Sequence, residues 1–259
     1  MYPVLFSIGE FEVTSFGVML GVAALVALGL FRHELNRSGL PTSALDAGLA
    51  GLLGGMVGAK LIWAVEFRHE GPFLGLLLSR GGLSWFGGFV GGVGAGLWMI
   101  RRRRLPMLSV LAAASPALAV GHAIGRVGCF LVGDDYGRPS GLPWAVAFPN
   151  GRPPTDVPVH PTQIYETVAL LVLAAILVAF RRGRRPDRFS FGVYLLVAGA
   201  VRFAIEFVRV NRAVIGPFTL AQLFSAAAIA VGVALLSIEH QSVSEGAATR
   251  AKRNGSRLT

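Results

Sequence analysis

The sequence predicts an all-α integral membrane protein of seven transmembrane helices, with the N-terminus outside and the C-terminus cytoplasmic. Three observations carry that expectation. Of 259 residues, 53% are apolar and only 15% are charged, whereas soluble domains carry roughly 25% charged residues. The apolar residues gather in blocks of span length, separated by short charged or Pro/Gly-rich pieces. The cations collect after alternate blocks. These features exclude a soluble enzyme and a disordered tail protein. The single cysteine, Cys129, excludes a disulfide framework.

The N-terminal MYPVLFSIGEFEVTSFG has no basic region and holds two acids, Glu10 and Glu12, so it does not read as a cleaved signal peptide. Span one follows from about Thr14 to Phe31. Span two, Ala44 to Val65, carries Gly51, Gly54, Gly55 and Gly58; span three, Leu83 to Ile100, carries Gly87, Gly88, Gly91, Gly92 and Gly94. Their small-xxx-small spacing predicts close helix packing. Asp46 near the inner end of span two reads as a cap or a helix–helix contact. Between the two spans, Pro72–Ser79 is too short to cross and reads as interfacial or re-entrant. Span four runs from Met107 to about Phe130. A loop over residues 131–161 follows, dense in turn residues and containing Trp144, His160 and several acids, and a long loop of this kind is expected to be functional. Spans five, six and seven cover Ile164 to Phe180, Phe189 to Val208 and Leu220 to Ile238. Residues 1–238 thus form one membrane domain, and the polar stretch 239–259 reads as a disordered cytosolic tail. There is no internal repeat and no soluble domain.

The net charge of +10 is explained by orientation. Arg32 and Arg37, Arg101 to Arg104, the five arginines between 181 and 188, and Arg250, Lys252, Arg253 and Arg257 make fifteen of the 24 cations. All fall on one side, which the positive-inside rule makes cytoplasmic. This reading displaces a nucleic-acid partner.

The remaining charges are informative because an ionisable residue inside a span costs about 2.5–3.5 kcal/mol. Lys60 and Glu66 lie near the end of span two, His122 and Arg126 in span four, Glu166 at the start of span five. Arg202, Glu206 and Arg209 close span six. His122/Arg126 and Arg202/Glu206 are each four apart, so each pair shares a helical face. Lys60 and Arg68 also fit simple snorkelling to the headgroups, and Arg202 and Glu206 fit a structural pair. Scattered His and carboxylates give no zinc or di-iron spacing, so no metal or organic cofactor is expected.

The segment from His122 to Arg138 resembles the signature of the prolipoprotein diacylglyceryl transferases, G-R-x-G-N-F-x-N-G-E-x-x-G. Gly125, Arg126, Gly128, Phe130, Gly133, Asp134 (for the acid) and Gly137 fit it. His160-Pro-Thr-Gln-Ile-Tyr-Glu166 resembles the family's H-P-S/T-Q-L-Y-E, and Arg202-Phe-Ala-Ile-Glu-Phe-Val-Arg209 its R-F-x-x-E-x-x-R. Gly58-Ala-Lys60 is similar to its G-A-R, and Thr219–Gln222 to the stretch before its last span. The resemblance covers nearly the whole chain. It implies transfer of the diacylglyceryl group of phosphatidylglycerol to the lipobox cysteine of a prolipoprotein signal peptide, in the bacterial inner membrane, with the site toward the outer leaflet. On this reading Arg126 and Arg202 hold the phosphate, since a planar guanidinium suits that group. Arg209 and Lys60 give outer support, Glu206 orients Arg202, and His160, Tyr165 and Glu166 shape the outer rim. Gly128, Cys129, Gly137 and Ser84 complete the expected substrate-contacting set.

The chain also departs from the family pattern. A His within the family's G-G-x-S-x-H-G-G is Phe86 here, and a span-one Tyr is Phe16. Two signature Asn are Cys129 and Val132. Two explanations stand. Either the arginines carry the electrostatics while His122, Asp134 or Glu206 handles the thiol proton, or the chain is a phospholipid-binding or lipid-transporting paralogue without transfer. Cys129 reads either as a nucleophile or acyl carrier or as a small buried residue. An ion or proton transporter is disfavoured because the charges gather toward one side and form no relay through the midplane.

Overall fold

The computed structural model describes residues 2–9, 11–79, 82–211 and 213–255, with side chains for all of these but Phe11 and residues 239–255. Glu10 and Arg257, which figure in the sequence reading, lie outside the described residues, as do the side chains of Arg250, Lys252 and Arg253.

In chain order the elements are β1 (Val4–Ile8), β2 (Phe11–Thr14), α1 (Ser15–Arg37), a single 3-10 turn (Thr42–Ala44), α2 (Leu45–Glu66), α3 (Phe73–Leu78), α4 (Trp85–Arg102) and α5 (Met107–Val132). They continue as β3 (Val146–Phe148), β4 (Thr155–Val159), α6 (Thr162–Arg182), α7 (Asp187–Glu206), β5 (Ala213–Ile215), β6 (Phe218–Thr219) and α8 (Leu220–Gly255). Seven spans were expected, and among the described residues six helices are long and apolar enough to cross a membrane. α4 is not among the six. It has only 18 residues, is rich in glycine and ends in Arg101 and Arg102, so its length is marginal for a span. α8 continues as helix past Ile238 to Gly255, through a polar stretch whose Ala, Glu, Lys and Arg favour helix.

Three two-stranded antiparallel hairpins were not expected: β1–β2, β3–β4 and β5–β6. The loop over residues 131–161 is consequently more ordered than its turn-rich text suggests. β3 pairs with β4, Phe148 is fully buried, and Tyr136 stacks on it at 5.3 Å with Phe130 edge-on at 5.7 Å.

The chain divides into two compact units, Met1–Val26 with Ser115–Thr259, and Ala27–Ala114. In the smaller unit the glycine stripes bring α2 and α4 into backbone contact. A Cβ at Gly54 would lie 2.7 Å from the Gly91 carbonyl oxygen, and one at Gly58 3.0 Å from Gly91 Cα. Close approach of this kind lets dispersion forces hold helices together where lipid offers no hydrophobic gradient. Asp46 makes the expected helix contact, to Arg103 at 2.5 Å. In the larger unit, Ala123 of α5 and Leu170, Leu173 and Leu177 of α6 form a buried cluster, against which Val193, Tyr194 and Val197 of α7 pack. α7 and α8 use glycine likewise: a Cβ at Gly232 would lie 2.8 Å from the Gly192 oxygen.

Candidate active site

His122, Arg126 and Arg202 of the larger unit converge on Glu166. α6 places this carboxylate just past its first turn, 1% exposed. One oxygen, Oε2, lies 2.9 Å from Arg126 Nε on α5 and 3.7 Å from Arg202 Nη1 on α7; the other, Oε1, lies 3.4 Å from His122 Nε2. The one-face expectation for His122/Arg126 holds, since both reach the same carboxylate. Arg202 pairs with Glu206 one turn on, at 3.0 Å. Glu206 also accepts a hydrogen bond from Asn211 Nδ2 at 2.5 Å.

Two expectations need correction. Glu166 belongs at the centre of the network and not at its rim, because three cationic or basic side chains from α5 and α7 close over it. The acid that binds the arginines after the signature is Asp135, which the sequence did not single out. Asp135 accepts from Arg126 Nη1 at 2.8 Å and from Arg209 Nη2 at 2.5 Å. Burial works against its ionisation, but Arg209 and then Arg126 outweigh it and hold the carboxyl down at about 2. Asp134 behaves oppositely: burial, then the neighbouring Asp135 charge, raises it. Arg209 is likewise no outer support, being 6% exposed and inside the same network.

The loop that carries Asp135 is held by backbone bonds on both sides. Gly137 N–H donates to the His160 carbonyl at 2.9 Å and Arg138 N–H to that of Val208 at 2.8 Å. A Cβ at Gly137 would lie 2.6 Å from the Val208 oxygen, so this glycine serves chain crossing. From α6, Thr162 Oγ1 donates to the Asp135 carbonyl at 2.7 Å and Gln163 Nε2 to that of Asp134 at 2.5 Å. The His-Pro-Thr-Gln segment thus fixes the acidic loop over the arginines. Gly128 is also a packing position, since a Cβ there would lie 3.3 Å from the Phe16 ring. Cys129 Sγ lies 3.5 Å from Arg126 Nη1.

His160 and Tyr165 do form a rim. His160 Nδ1 is 3.3 Å from the Tyr165 hydroxyl, to which Trp144 Nε1 donates at 2.8 Å. With Leu142, Ile205 and Val208 they line an open apolar pocket of about 440 Å³. Lys60 and Ser84 belong to the smaller unit. Lys60 Nζ donates to Ser79 Oγ at 3.0 Å and sits 4.4 Å over the Trp63 ring, and Ser84 Oγ donates to Glu66 at 3.3 Å. Sequence reasoning missed Asp135, Asn211, Thr162 and Gln163. The last two stood in a recognised motif, which was the available signal.

Arg126, Arg202 and Arg209 converge with Asp135, Glu166 and Glu206, yet two buried guanidinium nitrogens, Arg126 Nη2 and Arg209 Nη1, find no partner among the described residues. Buried donors of this kind are expensive unless something accepts from them. Fold and site together define a multi-helix membrane protein with a sequestered arginine cluster. Residues 3–238 match the family model for prolipoprotein diacylglyceryl transferases, and the chain belongs to that family of transferases. It is 33% identical over 237 residues to a phosphatidylglycerol–prolipoprotein diacylglyceryl transferase of Geobacter sulfurreducens, covering 86% of this chain and 89% of that one. A protein of the same name from Pseudomonas putida is 33% identical, with 83% of each chain covered. One from Vibrio cholerae is 32% identical, with 90% of each covered.

Proposed function

We propose that the chain transfers the diacylglyceryl group of phosphatidylglycerol to the lipobox cysteine thiol of a prolipoprotein, leaving a thioether and releasing glycerol phosphate. The observation that carries this reading is the pair of buried, unpartnered guanidinium nitrogens on Arg126 and Arg209, beside Arg202. A phosphodiester offers the oxygens those donors lack, and charge growing on the departing phosphate is met by preorganised cations. Arg126 and Arg202 bind the phosphate, Arg209 joins them, and Glu206 and Glu166 position the arginines. Asp134 serves the site as its nearby acid. Tyr165 and His160 border the peptide's approach, and Gly128, Cys129, Gly137, Lys60 and Ser84 are carried as substrate-contacting positions on the resemblance alone. The protein spans the bacterial inner membrane seven times as one domain over residues 1–238, N-terminus outside, with the site toward the outer leaflet and residues 239–259 in the cytosol.

A second reading, phospholipid binding or lipid transport without transfer, is favoured by one specific observation: Phe16, Phe86, Cys129 and Val132 replace polar residues of the family pattern. Purified protein with phosphatidylglycerol and a lipobox peptide distinguishes the two. A diacylglyceryl mass increment on the peptide cysteine supports transfer. Lipid that co-purifies while the peptide stays unmodified supports the second reading and ends the first.

A further inference from the structure

Neither Phe86 nor Phe16 can take a proton, so the substrate thiol needs another acceptor, and we propose that His122 is that base, oriented by Glu166. The inference rests on the transfer reading above. His122 stands one turn before Arg126 on α5, and its Nε2 lies 3.4 Å from Glu166 Oε1 while Arg126 Nε lies 2.9 Å from Glu166 Oε2. One buried carboxylate therefore fixes an imidazole and a phosphate-binding guanidinium side by side. The His122 side chain is 41% exposed, against 2% for Glu166, so the ring is reachable while its anchor is not. With the ring proton placed on Nε2, facing Glu166, Nδ1 is left as the acceptor. The charged groups facing the ring are Glu166 from α6, Arg126 from its own helix and Arg202 from α7.

Glu206 and Asp135 are committed elsewhere. Glu206 Oε1 accepts from Asn211 at 2.5 Å and Oε2 pairs with Arg202 at 3.0 Å. Asp135 bridges Arg126 and Arg209. Asp134 stands beside Cys129, with its Oδ1 buried and without a partner among the described residues.

The step balances as follows. The thiol gives its proton to His122 Nδ1. The thiolate attacks the terminal glycerol carbon of the diacylglyceryl group, forming the S–C bond as the C–O bond to phosphate breaks. The bonding pair leaves on the oxygen of glycerol phosphate, beside Arg126 and Arg202. The imidazolium then returns its proton to that phosphomonoester dianion, whose second pKa is about 6.

The test measures thioether formation from pH 6 to pH 9 in phosphatidylglycerol–detergent micelles with a lipobox peptide, for wild type, His122→Asn and His122→Gln. Binding of phosphatidylglycerol is measured alongside. A positioned base contributes about 10²–10⁴-fold, so both variants should lose at least about 100-fold at pH 6.5 while still binding the lipid. The deficit should narrow toward pH 9, because solution then supplies thiolate from a thiol of pKa about 8.5. A deficit equal at every pH, or rates within about twofold of wild type, would overturn the assignment while leaving the transfer reading intact. Loss of lipid binding in both variants would make His122 structural and overturn it too. An inactive wild type would overturn the transfer reading and the base together.

Discussion

Replacing Glu166 with Gln keeps the side chain's shape and removes the charge on which the network converges. Glu166 is 1% exposed, and its carboxylate faces Arg126 at 2.9 Å, His122 at 3.4 Å and Arg202 at 3.7 Å. Removing one partner of a buried pair typically costs about 3–5 kcal/mol, because it strands the other charge. Here each arginine keeps a second carboxylate, Arg126 holding Asp135 at 2.8 Å and Arg202 holding Glu206 at 3.0 Å. The lower end, about 3 kcal/mol, is therefore expected. In a domain of this size about 1 kcal/mol moves the melting point by about 2–4 °C, so Glu166→Gln should lower Tm by about 6–12 °C. Thermal unfolding in detergent is the assay. Glu70→Gln is the control, since the Glu70 side chain is 54% exposed and a surface change of that kind falls within about 0.5 kcal/mol. A Glu166→Gln protein melting within about 2 °C of wild type would refute the claim that this carboxylate is the hub.

Three further outcomes follow from the same geometry. Arg126→Lys should reduce transfer by about 100-fold or more, because a point charge does not replace a planar fork, whereas Lys60→Arg should stay within about threefold; initial rates with the lipobox peptide compare them. Asp135 is held at about 2, below its ordinary 3.8, so its stabilisation is complete above the ordinary value and is lost as pH falls through the lower one. The Tm gap between wild type and Asp135→Asn should thus be constant from about pH 8 to pH 5 and close only below about pH 4; closure near pH 6 would contradict the pairing. Gly58→Leu should force α2 from α4 and lower Tm by about 3–10 °C, while Gly94→Leu, where a Cβ meets nothing within 4 Å, should leave it unchanged.

The helices were legible because span-length apolar blocks leave little else for the backbone to do in lipid. The α2–α4 contact was legible from glycine spacing, and the two i,i+4 pairs from helical periodicity. α4 reads weakly because the glycines that let it pack also dilute its hydropathy. The hairpins were hidden: strands such as Val146–Phe148 and Thr155–Val159 are too short to show alternation. Asp135 was hidden for a different reason. Its partner Arg209 is 74 residues away, and only the backbone bridge between Gly137 and Arg209 brings them together. Glu166 looked like a rim residue because it opens a span, and its burial arises from the loop and helices that cover that end.

The central claim is that the arginine cluster holds a phosphate while the bond on its lipid side breaks. It is tested most directly with phosphatidylglycerol labelled separately in an acyl chain and in the headgroup phosphate, incubated with the purified protein and a lipobox peptide. The account predicts the acyl label on the peptide cysteine and an equal amount of phosphate label released as water-soluble glycerol phosphate, with both signals lost in Arg126→Ala. Both labels remaining together in intact lipid, bound to the protein but never parted, would contradict it.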